Sequence, residues 1–206
     1  MGAWLDWEYA PNDNWSHVFA LIHYGDEFEM NDFGFLRRNN FEEVYINHTH
    51  RINEYPENSP LRSTTDELEW GASRTVDGQR HPNWFELERG TVFRTTSELV
   101  LRAGAQTSGD DNLITRGNGI YREPAQYWSE VIYRSPKSDQ FNYVFKLAAF
   151  TSGSAGFTRA LKIEPSYYLS EKITLTGKAL YRNYAEDRKS TRLNSSHQII
   201  SYAVFC

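Results

Sequence analysis

The chain has 206 residues, 39% hydrophobic, 24% charged and 15% aromatic, with 22 Lys and Arg against 27 Asp and Glu, a formal net charge of -5, and one cysteine. A single cysteine excludes an intramolecular disulfide framework, a CxxC redox pair and a Cys-rich zinc site. The acidic balance, with both signs mixed along the chain, argues against a nucleic-acid partner, which would require a cationic surface.

No apolar run approaches the roughly 18 residues of a membrane-spanning helix. The start, MGAWLDWEYAPND, lacks the cationic and apolar regions of a secretory signal. Neither point excludes a transmembrane β-barrel, whose strands need only about 9 to 11 residues with alternate side chains facing a wet lumen.

In chain order, alternation predicts about ten strands, near 2–10, 15–24, 41–53, 66–76, 83–94, 97–106, 127–135, 140–151, 157–165 and 172–182. The second has Phe19 and Leu21 on the same face as His17 and His23, so its apolar side is left open. In the fourth, Leu68, Trp70 and Ala72 alternate with Glu67, Glu69 and Ser73. In the sixth, Leu99, Leu101, Ala103 and Ala105 alternate with Glu98, Arg102 and Gln106. The last is the most regular, with Ile173, Leu175, Gly177, Ala179 and Tyr181 alternating with Lys172, Thr174, Thr176, Lys178 and Arg182. Pro11-Asn12-Asp13-Asn14, Asp77-Gly78, Pro136-Lys137-Ser138-Asp139 and Gly153-Ser154-Ala155-Gly156 supply turn chemistry between such runs.

Consecutive pairing would make an antiparallel meander, in which connections alternate between the two ends of the sheet. The two longest, about 25–40 and 107–126, both follow even-numbered strands and fall on one side, as the long outer loops of an outer-membrane barrel do. Trp4, Trp7, Tyr9, Trp15, Tyr24, Trp84, Tyr127, Trp128, Tyr167 and Tyr168 lie near predicted strand ends, where interfacial girdles place amphipathic rings. The expected fold is all-β: part of an outer-membrane-type β-barrel left as an open sheet. A soluble β-sandwich, with these aromatics in its core, is the alternative.

Residues 187–206 break the pattern. Asp187 through His197 and Ile200 through Cys206 resemble the in-frame translation of two blocks of a common short-read sequencing adapter, separated by the barcode-sized pair Gln198-Ile199. Residues 1–186 are therefore expected to be a partial barrel domain, and 187–206 a non-native tail that is set aside in reading the fold. The sole cysteine falls in that tail, which leaves no cysteine nucleophile.

Three stretches carry a family resemblance: Asn31-Asp32-Phe33-Gly34-Phe35-Leu36-Arg37-Arg38-Asn39-Asn40; Thr115-Arg116-Gly117-Asn118-Gly119 followed by Pro124; and Glu164-Pro165-Ser166-Tyr167-Tyr168-Leu169. Together they resemble an uncharacterised bacterial family in which a carbohydrate-binding module of the family-nine type precedes a long domain of unknown function of outer-membrane barrel type. Asn118 departs from the glycine usual there. The resemblance implies a Gram-negative outer-membrane location, lipid as a partner, a link to carbohydrate binding or uptake through an upstream module, and no cofactor. From the residues themselves, Asn31 and Asp32 are expected to hydrogen-bond within their loop and Gly34 to supply its backbone conformation, Arg37 and Arg38 to pair with lumen carboxylates such as Glu42 or Glu43, and Arg116, Gly117 and Gly119 to belong to a constriction or plug loop.

Other constellations have plainer readings. Asp32-Phe33-Gly34 imitates the kinase magnesium motif but lacks the catalytic and glycine-rich loops. Arg116-Gly117-Asn118-Gly119 lacks the signature of a phosphate loop and a following helix. His48 and His50 share a face and could approach one metal, but they read as lumen histidines. Asp110 and Asp111 lack EF-hand spacing. Glu67 with Glu69, and Glu86 with Glu88, could serve a glycosidase only if they converged at about 5 to 9.5 Å. They read as lumen carboxylates paired across strands with Arg74, Arg89, Arg102 and Arg134. The expectation is a non-enzymatic domain without catalytic or metal residues, the runner-up a glycosidase-like domain using the Glu pairs.

Overall fold

Period-two alternation leaves little choice of local structure, and a computed structural model bears it out over residues 2–27, 40–111, 115, 118–136, 138, 140–151, 156–170, 173–185 and 204–205, the residues it describes. The strands are β1 (Gly2–Asn12), β2 (Trp15–Tyr24), β3 (Phe41–Ile52), β4 (Leu61–Thr75), β5 (Trp84–Phe93), β6 (Glu98–Gln106), β7 (Gly109–Asp111), β8 (Tyr121–Glu123), β9 (Gln126–Arg134), β10 (Phe141–Thr151), β11 (Phe157–Ser170), β12 (Ile173–Thr176), β13 (Ala179–Ala185) and β14 (Val204–Phe205). No helix occurs among the described residues. The expected all-β antiparallel meander is present. The main sheet runs as an open path, β1-β2-β3-β4-β5-β6-β9-β10-β11-β12-β14, with β13 also on β11. β7 and β8 form a separate two-stranded sheet inside the long connection 107–126, where no strand was expected.

The residues group into two units, 1–50 with 67–87 and 104–126, and 51–66 with 88–103 and 127–206. In the first, the register pairs Leu5 with Leu21 and Trp7 with Phe19, then Phe19 with Ile46 and Leu21 with Val44. This resolves β2: Phe19 and Leu21 belong to the apolar face, and His17 and His23 go with them. In the second, Leu147 opposes Val131 and Leu161, Leu161 opposes Tyr181, and Tyr167 opposes Phe141 and Leu175. These too form one apolar face.

The aromatic-girdle expectation needs correction by the same register. Trp7, Tyr9, Trp15, Tyr127 and Tyr167 stand on the apolar face, whereas Trp4, Tyr24, Trp84, Trp128 and Tyr168 point to the other side. Trp84 lies over Gly71 and beside Tyr45, its ring 6.0 Å from the tyrosine ring. A Cβ at residue 71 would collide with that indole, so the glycine is what lets Trp84 lie flat on β4.

Of the two long connections expected on one side, 25–40 and 107–126, most of the first and part of the second lie outside the described residues, and their described ends are bonded to the 76–83 connection. In the first unit, Thr107 donates its N–H to Asn83 O at 2.8 Å, Asp110 donates to Arg80 O at 2.8 Å, and Val76 donates to Asn40 Oδ1 at 3.2 Å.

The predicted strand 172–182 is interrupted, which corrects the reading of it as one regular strand. β12 and β13 keep a common register against β11, Thr176 opposite Ser166 and Ala179 opposite Ile163. Between them Gly177 donates to Pro165 O at 2.9 Å. Proline has no N–H to return the second bond of that pair, so the ladder breaks there. Pro165→Ala should restore the bond and join β12 to β13, raising stability by about 0.5 to 1.5 kcal/mol. Amide exchange reads it directly: the new N–H that the substitution creates at position 165 is expected to exchange slowly, and fast exchange contradicts this account.

Two hairpins share one turn geometry. Thr75 N–H bonds Gln79 O (2.8 Å) while Gly78 N–H bonds Thr75 O (2.9 Å); Phe93 N–H bonds Ser97 O (2.9 Å) while Thr96 N–H bonds Phe93 O (2.9 Å). The residue before the closing partner must take positive φ, and it is Gly78 (95°) in one and Thr96 (66°) in the other. A β-branched residue is strained there. Thr96→Gly is expected to stabilise the protein by about 1 kcal/mol, read as a higher urea midpoint; a lower midpoint would sink the argument.

Candidate functional site

Strand alternation gives each strand one carbon-rich side and one side able to carry charge, and cross-strand register decides which charges meet. In the second unit they meet in a row. Arg102 on β6 bonds Glu88 on β5, with Nε at 2.7 Å, and reaches Glu130 on β9 at 3.5 Å; Lys146 on β10 closes on Glu130 at 2.5 Å. Lys162 of β11 lies opposite Lys146 in register and pairs with Glu164 at 2.6 Å. Signs therefore alternate from Glu88 through Arg102 and Glu130 to Lys146, and each charge faces an opposite one. Arg134 and Glu98 add a further pair at 3.3 Å on the same side.

In the first unit one side of β3 and β4 is polar. Glu69 accepts from Tyr45 Oη and Asn47 Nδ2, both at 3.0 Å, and Thr49 Oγ1 donates to Asn47 Oδ1 at 3.0 Å. Glu123 accepts from Gln106 (3.0 Å) and Gln126 (2.7 Å), closing the ends of the connection that carries β7 and β8.

Coverage separates the two sides. The Glu130 side chain is 14% exposed, while on the apolar side Leu101 is 41%, Leu147 43%, Ile173 48% and Tyr127 59% exposed. Among the described residues Ala20 is the one buried apolar side chain, and the other buried ones are threonines and a serine. This inverts the order of a water-soluble domain, where the carbon-rich side is the one removed from water.

All four arginines expected to pair with carboxylates across strands do so, Arg102 and Arg134 on the charged side. Arg74 and Arg89 pair on the other side. Arg89 alternates with Glu86 and Glu88 along β5, which sends it to the other side, where it pairs with Asp66 at 2.7 Å. Arg74 shares its side with Trp70 and Ala72 and pairs with Glu42 at 2.7 Å. Glu42 also meets His23 Nδ1 at 3.1 Å. These three side chains help line a recess of about 470 Å³, together with Leu21, Val44 and Ala72.

The expected lumen histidines are likewise on the apolar side, since His48 and His50 alternate with Asn47 and Thr49. His48 meets His17 of the neighbouring strand, a pairing that spacing along one strand could not reveal. Asp110, weighed as a calcium ligand, pairs with Arg122 at 2.8 Å. Among the described residues, no group of three or more His, Cys, Asp or Glu side chains could hold a metal ion.

Asn31, Asp32, Gly34, Arg37, Arg38, Arg116 and Gly117 lie outside the described residues. Gly119 is described: it takes φ 113°, and its carbonyl accepts from Thr115 Oγ1 at 2.6 Å. Asn118 N–H also bonds Thr115 O, at 3.0 Å.

Glu130 is the least exposed member of the row and faces two cations. Glu130→Gln should cost about 1 to 3 kcal/mol by removing the carboxylate that Arg102 and Lys146 share. Glu98→Gln, in the more exposed pair, should cost less than about 1 kcal/mol. Urea titration of the refolded full chain in detergent micelles distinguishes the two; equal losses would refute the ranking.

No curated protein matches the chain, and no solved structure does. The family model described as Domain of unknown function (DUF5916) matches residues 10–203, a span that runs past residue 186. With nearly the whole sequence inside that match, the chain belongs to the family described as Domain of unknown function (DUF5916).

Proposed function

We propose that these strands belong to an outer-membrane β-barrel domain of a Gram-negative bacterium, with the apolar side toward lipid and the charged row toward a hydrated lumen. Its role is passive and non-enzymatic, tied to carbohydrate binding or uptake through a separate sugar-binding module. The observation that carries the proposal is the inverted coverage: exposed Leu101, Leu147 and Ile173 on one side, and the compensated row around Glu130 on the other. Lipid removes the cost of exposed carbon, and a wet lumen tolerates a row of paired charges.

The alternative, a soluble sandwich acting as a glycosidase, would place Leu99, Leu101, Ala103, Ile173, Leu175 and Ala179 inside a core. None of the six is buried, which favours the barrel reading. In the Glu pairs, Glu88 is engaged by Arg102, and Glu69 by Tyr45 and Asn47.

Residues 187–206 remain, within this proposal, a translated adapter and not part of the domain. The family match through residue 203 and the pairing of Val204–Phe205 with β12 count the other way. The codons of the parent DNA decide it, because only the adapter's own codons are compatible with this origin.

Tryptophan fluorescence tests the orientation. Trp70 stands on the apolar side and Trp84 on the charged side. Full-chain variants keeping one or the other, with the remaining tryptophans changed to Phe, are to be refolded into vesicles of phosphatidylcholine with brominated acyl chains. Quenching of Trp70 by bromine, and of Trp84 by aqueous acrylamide, is expected. Equal bromine quenching of both, or of neither, would overturn the orientation.

A further inference from the structure

We infer that His17 and His48 form a binding site for a divalent transition-metal ion of the Zn²⁺, Ni²⁺ or Cu²⁺ class, bridging β2 to β3. The register sets the two residues directly opposite each other, on one side of the sheet. Their Nδ1 atoms stand 2.7 Å apart, with ring centroids at 4.8 Å and planes at 74°. At that distance one Nδ1 carries a hydrogen and donates it to the other, so two imidazole nitrogens already converge on a single proton.

A metal ion can take the proton's place with little movement. Two nitrogens each about 2.0 to 2.1 Å from one ion at tetrahedral or square geometry lie about 2.9 to 3.4 Å apart. The nitrogens need to separate by about 0.2 to 0.7 Å and the rings to turn so that both lone pairs meet at the ion, a movement that side-chain rotation supplies. Aromatic neighbours hold the His17 ring: Tyr9 stacks at 6.1 Å and Trp15 at 5.8 Å. His50, the neighbour that spacing along β3 pointed to, lies opposite Trp15 in register and is packed on it at 4.3 Å, so it is not one of the two ligands. His48 is exposed and its partner His17 lies two residues from the Asn12–Trp15 turn, so water at that end of the strands can complete the coordination shell.

Imidazole nitrogen selects the ion. Zn²⁺, Ni²⁺ and Cu²⁺ accept it readily, whereas Mg²⁺ and Ca²⁺ prefer oxygen. Binding replaces the shared hydrogen, so occupancy should fall as the solution is acidified. A bound ion would join β2 to β3 close to the Asn12–Trp15 turn. The inference rests on the β2–β3 register and holds whichever side of the sheet faces lipid.

The test is isothermal titration of the refolded full chain, free of any histidine tag, with ZnCl₂ and separately CuSO₄, with MgCl₂ as control. Saturable binding of one Zn²⁺ or Cu²⁺ is expected, with no Mg²⁺ binding. His17→Ala and His48→Ala should each weaken it by about tenfold or more; His50→Ala and His23→Ala should leave it within about twofold. If an alanine variant loses its β-type circular dichroism, His48→Gln, which keeps a hydrogen-bonding partner for His17, replaces it with the same expected loss. Absent Zn²⁺ and Cu²⁺ binding, or equal losses at His50 or His23, would overturn the site.

Discussion

A β-strand sends successive side chains to opposite sides, and in this sheet the carbon-rich side stays exposed. Everything else depends on how that exposure is resolved. Each large apolar side chain left in water forgoes about 1.5 to 3 kcal/mol of burial. With Ala20 as the one buried apolar residue among those described, a hydrophobic core of the ordinary kind does not hold these strands together. Hydrogen-bonded ladders and cross-strand polar pairs link them. On the proposed reading the surroundings are hydrocarbon, which makes exposed Leu, Ile and Tyr inexpensive and demands that backbone groups be paired, as strands achieve in a sheet.

The charged side follows from the same constraint. A strand cannot place carbon on both sides without becoming an aggregation hazard, so the opposite side carries the polar residues. Their order is not arbitrary. Glu88, Arg102, Glu130 and Lys146 come from four strands that are neighbours in the sheet, and each finds an opposite charge at its own level. A partly covered carboxylate such as Glu130 is tolerable only because two cations face it. The polar network of Tyr45, Asn47, Thr49 and Glu69 does the same with hydrogen bonds.

Irregularities occur where the backbone lacks what the ladder asks for. At Pro165 the missing N–H divides the partner strand into β12 and β13. At Thr96 a side chain stands where the turn asks for glycine, while Gly78 meets the same demand without strain. Around residues 80–83 and 107–110, side-chain and backbone bonds tie two connections together, and the excursion β7–β8 closes on itself through Asp110 and Arg122. These are local backbone requirements, and they set the outline of the sheet more than side-chain volume does.

Most strands were legible in the sequence because period-two alternation and turn residues act within ten residues of chain. Leu99 to Gln106, Phe141 to Thr151 and the Asp77-Gly78 turn need no distant partner to be recognised. The short β7–β8 pair was not legible, since three-residue strands carry no pattern. Membership in a family of unknown function was foreshadowed by three stretches, of which two lie wholly or partly outside the described residues. What only the tertiary structure decided was who faces whom: His17 with His48 and not His50 with His48, Arg102 rather than Arg89 with Glu88, Gly177 against Pro165. The reason is physical. Alternation assigns each residue a side of its own strand, but the partner across the gap depends on register, and register is set jointly by two strands and the turn that joins them.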